Sequence, residues 1–175
     1  SQMGIFINQA RAAGYTGLFM GPDGLDSAEY SELAGDAGVG TYYTSVAAPI
    51  SVYPDAAQFA EDYVEKFGES PQPFAAQSYD ATGIALESIL RAIEAAGGMP
   101  TRAQVAEAVR ATEEYEGLTG TITFDENGDP QIGLYYIIEV VSADPAEWNN
   151  NEVLSTQGIP SPLHALELEG ETASS

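Results

Sequence analysis

At 175 residues the chain has room for one ordinary domain with a substantial core, and a hydrophobic share of 44% fits a globular protein. Five Lys plus Arg against 27 Asp plus Glu give a net charge of -22, which excludes the basic surface that nucleic acids or anionic lipids require to release counterions. The absence of cysteine excludes disulfides, thiol nucleophiles and cysteine metal sites, and no apolar run approaches the ~20 residues of a membrane span. The acidity has two readings, a hydrated carboxylate surface suited to a salt-rich habitat or simple solubility of an exported protein. No export signal stands at the start, so such a signal is expected either to have been removed or to lie outside the chain.

Met3, Phe6, Ala10 and Ala13 fall at helical spacing, and Gly14 stands where a left-handed cap would end that helix. Gly17–Met20 is a short apolar run before Gly21-Pro22, which predicts a buried parallel strand opening into a loop. Asp26, three residues before Glu29, predicts a capped short helix through Ala34, and Val39–Ser45 predicts the next strand. Pro54 and Asp55 open a helix carrying Ala56, Phe59, Ala60, Tyr63, Val64 and Phe67 on one face, ended by Gly68. A longer helix is predicted over Ala76–Ala96 with Leu86, Ile89, Leu90 and Ile93 on one face, and Thr101 with Gln104 caps another through Ala111. Thr121–Phe124 and Leu134–Val141 read as strands flanking an Asn127-Gly128 turn. Beyond Ser142 periodicity is weak, so 142–175 reads as an extended, partly ordered tail, disordered near Glu171–Ser175. Alternating helices and strands predict a mostly parallel sheet covered on both faces, with ligands sitting outside the carboxyl ends of its strands.

Met3-Gly4, Gln9–Gly14, Phe19–Gly24, Ala34–Ala37, Tyr79–Ala81, Gly120, Ile122–Asp125 and Gly128-Asp129 occur in an order and spacing that resemble the leucine/isoleucine/valine-binding proteins of bacterial transporters. The resemblance implies an α/β fold of the type I periplasmic binding class, parallel sheets flanked by helices, here as a fragment of a two-lobe protein. It implies that residues 1–50 belong to the second lobe, that 51–141 hold the hinge crossover and part of the first lobe with late hairpin strands, and that 142–175 form the tail.

In that family the acidic residue of the Gly-Pro-acid-Gly loop accepts hydrogen bonds from the ligand's ammonium group, and Asp23 stands at that place. A carboxylate suits this task as a charge-assisted acceptor. Many relatives have Glu there, so the shorter Asp bears on ligand size. Gly21, Pro22 and Gly24 are expected to shape the loop, and Phe74 to wall the pocket for the ligand side chain. Read from the residues alone, Asp23 could equally shape a turn, and Phe74 could be a plain core aromatic.

Other constellations carry less. Asp125, Asn127 and Asp129 imitate half a calcium loop, but Gly128 is misplaced and Tyr136 stands where the closing Glu belongs. His164, the single histidine, has no Ser or metal-ligand partner in a motif, and Glu113, Glu114 and Glu116 read as a solvated acidic face. No catalytic residue, metal or cofactor is expected. The resemblance to the leucine/isoleucine/valine-binding proteins implies the function of an extracytoplasmic solute-binding component of an ABC transporter, closing two lobes on a branched-chain or similar amino acid without transforming it. The expected partners are that ligand, a membrane permease, and either the missing first half or a second copy; nucleic acid is excluded. The location follows as periplasmic or extracellular, with a lipid anchor on the missing first segment as a further expectation. A self-assembling structural protein built from a binding-protein fragment, and a sensory ectodomain, are the alternatives.

Overall fold

The computed structural model describes residues 2–166, so the expectation for Glu171–Ser175 lies outside the described part. Helices α1 (Gln2–Ala12), α2 (Ala28–Ala34), α3 (Ala57–Phe67), α4 (Ala75–Ala96) and α5 (Arg102–Arg110) are interspersed with six strands. These are β1 (Met20–Gly21), β2 (Tyr42–Ser45), β3 (Tyr115–Gly117), β4 (Gly120–Ile122), β5 (Ile132–Glu139) and β6 (Glu152–Pro160). The class is α/β, as the sequence predicts. Two compact units form, residues 2–76 with 134–157 and residues 77–133 with 158–166.

The first unit is built on a sheet of order β1-β2-β5-β6. β1 runs parallel to β2, but β5 runs antiparallel to it, with Tyr43 opposite Ile138 and Ser45 opposite Tyr136. The sheet is therefore mixed rather than mostly parallel. Side-chain alternation sends those four residues to one face, where all are buried. Helices α1 and α2 pack together, burying Ile7, Tyr30 and Ala34.

The turn from α1 into β1 shows how local chemistry sets the frame. Gly14 has φ 90, and the amides of Gly14 and Tyr15 donate to the carbonyls of Arg11 and Ala10, a Schellman cap at the glycine the sequence marks. Arg11 Nη1 then donates to the carbonyls of Tyr15 and Gly17 at 3.0 and 2.7 Å, and its guanidinium lies 4.7 Å from the Phe19 ring centroid. With its carbonyl held by Arg11, Gly17 is drawn out of the ladder. The strand predicted over Gly17–Met20 begins only at Met20, beside a Tyr42 amide that donates to the Phe19 carbonyl at 3.0 Å. Phe19 and Gly21 are buried while Leu18 and Met20 are exposed, so β1 is an edge strand with one wet face rather than a strand buried on both.

Two further expectations change. The side chain that caps α2 is Ser27, whose Oγ accepts the Glu29 amide at 3.3 Å, and Asp26 is turned inward instead. The stretch expected as an extended tail contains a 3-10 turn, Pro145–Asn150, which buries Trp148, and then the edge strand β6. Trp148 stacks on Tyr43, with ring centroids 5.7 Å apart and planes 19° from parallel.

In the second unit β3 pairs antiparallel with β4 through a tight turn at Leu118-Thr119, a hairpin the sequence reading passes over. The Asp125–Asp129 turn forms, with an antiparallel bridge between Phe124 and Pro130, yet its outgoing arm continues into β5 and joins β2 rather than the strand before it. Asp125 fills its own acceptors with the amides of Asn127 and Asp129 and the Ser161 hydroxyl, so the acidic loop is a self-capped turn. His164, expected on the surface, is half-buried on a short helix at 162–166, its amide donating to Ser161 Oγ. The capping box of α5 is complete, with Thr101 and Gln104 each serving the other's backbone amide.

Helix α4 runs opposite to ordinary patterning. Its buried stripe in the second unit is Asp80, Ile84, Ser88 and Ala92, whereas Leu86 and Leu90 are about 60% exposed and Ile89 and Ile93 are exposed beside them. Asp80 and Ser88 tolerate burial because both are paired: Asp80 accepts the amides of Leu118 and Thr119, and Ser88 accepts from Arg91. Helix α3 also holds no fully buried residue, and Val64 and Phe67 stand exposed.

Candidate functional site

Gly21 ends β1, and the chain turns at Pro22 into a single 3-10 turn, Asp23–Leu25. The Leu25 amide donates to the Pro22 carbonyl at 3.0 Å and the Asp26 amide to the Asp23 carbonyl at 2.8 Å. Asp23 is exposed, at the carboxyl end of a strand that runs parallel to its neighbour. Gly21 is demanded by packing, since a Cβ there would lie 2.2 Å from Leu25 Cδ1. Gly24 is not: a Cβ there meets open space among the described residues, and its backbone lies outside the left-handed region. Among the described residues the fold of this chain therefore makes no packing or conformational demand for glycine at position 24.

Beneath the loop lies a residue the sequence reading assigns to a different task. Asp26 Oδ2 accepts the Ser45 hydroxyl at 2.8 Å, and Oδ1 accepts the Trp148 indole N–H at 2.9 Å. Burial pushes the Asp26 carboxyl up, hydrogen bonds from Trp148, Ser45 and Tyr43 oppose it, and the charge of Asp23 adds to the rise. Burial, followed by the Asp26 charge, likewise drives the Tyr43 hydroxyl far up, so it stays a neutral donor.

Phe74 belongs to the same unit, half-buried in the residue pair before α4, with φ 70. A bulky L-residue held in the left-handed region costs about 1–3 kcal/mol and persists only where its surroundings fix it. The preceding Pro71 carbonyl is pinned by Asn149 Nδ2 at 3.0 Å. A cavity of about 230 Å3 opens between this proline segment and the Pro145–Asn150 turn, lined by Pro71, Pro73, Trp148 and Asn149 among others. None of Gly21, Pro22, Asp23, Gly24 or Phe74 lines it, and it falls below the roughly 300 Å3 at which small-molecule sites begin. Among the described residues no group of three or more His, Cys, Asp or Glu is placed to hold a metal ion.

Residues 2–145 match the family model described as periplasmic binding protein. The chain belongs to the periplasmic binding protein family. A leucine-, isoleucine-, valine-, threonine- and alanine-binding protein of Pseudomonas aeruginosa is 35% identical over 135 residues, covering 73% of this chain and 32% of that protein. A Leu/Ile/Val-binding protein homolog 2 of Brucella abortus is 30% identical over 149 residues, covering 85% and 38%. The crystal structure of a leucine binding protein from Thermotoga maritima superposes with a TM-score of 0.73 at 30% identity, over 92% of this chain and 42% of that one. A branched-chain amino acid transporter substrate binding protein from Streptococcus pneumoniae, in complex with isoleucine, shares the fold with a TM-score of 0.66 at 21% identity. The chain thus spans about a third to two-fifths of the length of these relatives.

The type I periplasmic binding fold expected from the residues is therefore the fold of this chain. The family is one of extracytoplasmic, substrate-binding proteins, and no described helix is long and apolar enough to cross a membrane. The family resemblance at Tyr79–Ala81 acquires a physical role here, since Asp80 is the buried clamp on the β3–β4 turn.

Proposed function

We propose that this chain is one portion of the extracytoplasmic solute-binding component of an ABC transporter, holding the ammonium group of a branched-chain or similar amino acid at Asp23. The observation that carries this reading is the placement of Asp23: an exposed carboxylate at a strand's carboxyl end, on a hydrogen-bonded turn whose next residue is a glycine the fold does not require. Pro22 and Gly21 set the angle of the turn, and Phe74, held in a strained conformation, walls the ligand side chain. The names of the relatives, which describe leucine, isoleucine and valine binding, support the ligand class.

In this reading the carboxylate end of the ligand is met by a complementary lobe, and closure of the two excludes water before the ligand passes to a membrane permease. No bond is made or broken. In this reading residues 1–50 belong to the second lobe, 51–141 hold the hinge crossover and only part of the first lobe, and an amino-terminal lipid holds the assembly at the cell surface. The exposed apolar stripe of α4 supports a complementary segment, because that helix turns Leu86, Ile89, Leu90 and Ile93 to solvent while packing Asp80, Ile84, Ser88 and Ala92 inward. Calorimetric titration with L-leucine of the protein joined to its complementary lobe tests the reading. Asp23→Ala is expected to weaken binding by about 1.5–3 kcal/mol, the worth of a hydrogen bond to a charged group. Equal affinities of the two proteins remove Asp23 from the site.

A further inference from the structure

We infer that Asp26 is the positioning residue of the ligand loop, the brace that fixes Asp23 while leaving its carboxylate free for the ligand; this rests on the reading of Asp23 as the ammonium acceptor. Three separate pieces of chain meet at Asp26. Its amide closes the 3-10 turn on the Asp23 carbonyl, Oδ2 takes the hydroxyl of Ser45 at the end of β2, and Oδ1 takes the indole N–H of Trp148 from the Pro145–Asn150 turn. Each donor is itself fixed. Ser45 is 1% exposed and its Oγ also accepts the Ala47 amide at 3.1 Å, while Trp148 is 4% exposed and stacked on Tyr43.

The arrangement divides labour between two carboxylates three residues apart. Asp23 faces solvent with its backbone held, and Asp26 spends its acceptors on the protein. A short loop on an edge strand of two residues has little ladder of its own to keep it in place. Preorganisation by a half-buried, doubly hydrogen-bonded acceptor supplies that order before the ligand arrives, so the ordering cost is not charged against affinity. A capping role for Asp26 would not need Trp148, and the α2 cap is already supplied by Ser27.

Amide hydrogen exchange in the whole chain separates this from general stability. Asp26→Ala and Trp148→Phe, the latter keeping the ring and deleting the donor, are expected to speed exchange at the Leu25 and Asp26 amides by about tenfold or more, the loss of one hydrogen bond to a charged group. The Tyr42 and Val140 amides, which donate within the sheet region, should be unchanged. Asp26→Asn, which keeps an acceptor for the indole, should restore the loop amides toward wild type. Unchanged exchange at Leu25 and Asp26 in Trp148→Phe, or equal acceleration at Tyr42 and Val140, would overturn the inference. L-Leucine titration of the protein joined to its complementary lobe adds the functional arm: Trp148→Phe should bind about tenfold more weakly. If Asp23→Ala abolishes binding while Trp148→Phe binds as wild type, the positioning role fails and the binding reading stands. If Asp23→Ala changes nothing, the binding reading fails, whatever the exchange shows about the brace.

Discussion

Asp80 holds Thr119 twice: its Oδ2 accepts the Thr119 amide at 2.9 Å and the Thr119 hydroxyl at 2.7 Å, while Oδ1 accepts the Leu118 amide at 2.8 Å. A carboxylate that is 1% exposed tolerates its burial only because all three donors are in place. Asp80→Ala strands those donors and is expected to destabilise the second unit by about 3 kcal/mol. Urea unfolding followed at the Leu118 and Thr119 amides checks this. A loss under about 0.5 kcal/mol, the range of an ordinary surface change, would show that the clamp is dispensable.

Phe74 allows a test of its backbone independent of any ligand. At φ 70 an alanine suffers the same Cβ clash as phenylalanine, and a glycine does not. Phe74→Gly should therefore be more stable than Phe74→Ala by about 1 kcal/mol, reversing the usual order of these residues. Denaturant midpoints of the two variants decide it; alanine at or above glycine means that the residue relaxes out of the left-handed region.

Where local chemistry decides an element, the sequence is enough to find it. Gly14, Gly68 and Gly97 end helices with positive φ, and Thr101 with Gln104 forms the expected box. Asp23 also falls where a strand-end loop is expected, because the short apolar run and Gly21-Pro22 are local signals. Elements set by distant partners were not legible. Asp26 looks like a helix cap from its spacing to Glu29, and it turns inward because Ser45 and a tryptophan 122 residues away donate to it. A lone Trp148 in a polar stretch was the available hint that 142–160 packs, since so large an apolar ring is seldom left in water. The β3–β4 hairpin was hidden because the carboxylate that holds its turn, Asp80, lies 38 residues earlier than Leu118.

Two hydrogen-bonded carboxylates, Asp26 and Asp125, give acid responses of opposite sign. The folded value of Asp26 lies above its unfolded value of 3.8, so the folded first unit takes up the proton more readily and gains stability as pH falls from the raised value toward 3.8. Burial also presses Asp125 upward, but hydrogen bonds from Ser161, Asp129, Asn127 and Gly128 outweigh it and hold it below 3.8. Its contribution is present above 3.8 and is lost as pH falls through the depressed value. Exchange at the Asp26 amide should thus lose its Asp26-dependent protection gain in Asp26→Asn, and exchange at Gln131 its acid loosening in Asp125→Asn. The same sign at both amides would contradict the assignment.

The exposed stripe of α4 sets the behaviour of the isolated chain. Leu86, Ile89, Leu90 and Ile93 stand in water, and covering them recovers roughly 25 cal/mol per Å2 of apolar surface. A net charge of -22 opposes the approach of a second copy at low salt. Salt screens that repulsion, with a Debye length falling from about 10 Å at 0.1 M to about 3 Å at 1 M, and leaves apolar burial intact. The isolated chain is therefore expected to associate more strongly as salt rises, which light scattering across a salt series measures. Replacing Leu86 and Leu90 by Ser should remove most of that association, because the stripe that packs the helix onto its own unit, Asp80, Ile84, Ser88 and Ala92, is untouched. A compact monomer at every ionic strength, or association indifferent to the two substitutions, would place the contact surface elsewhere.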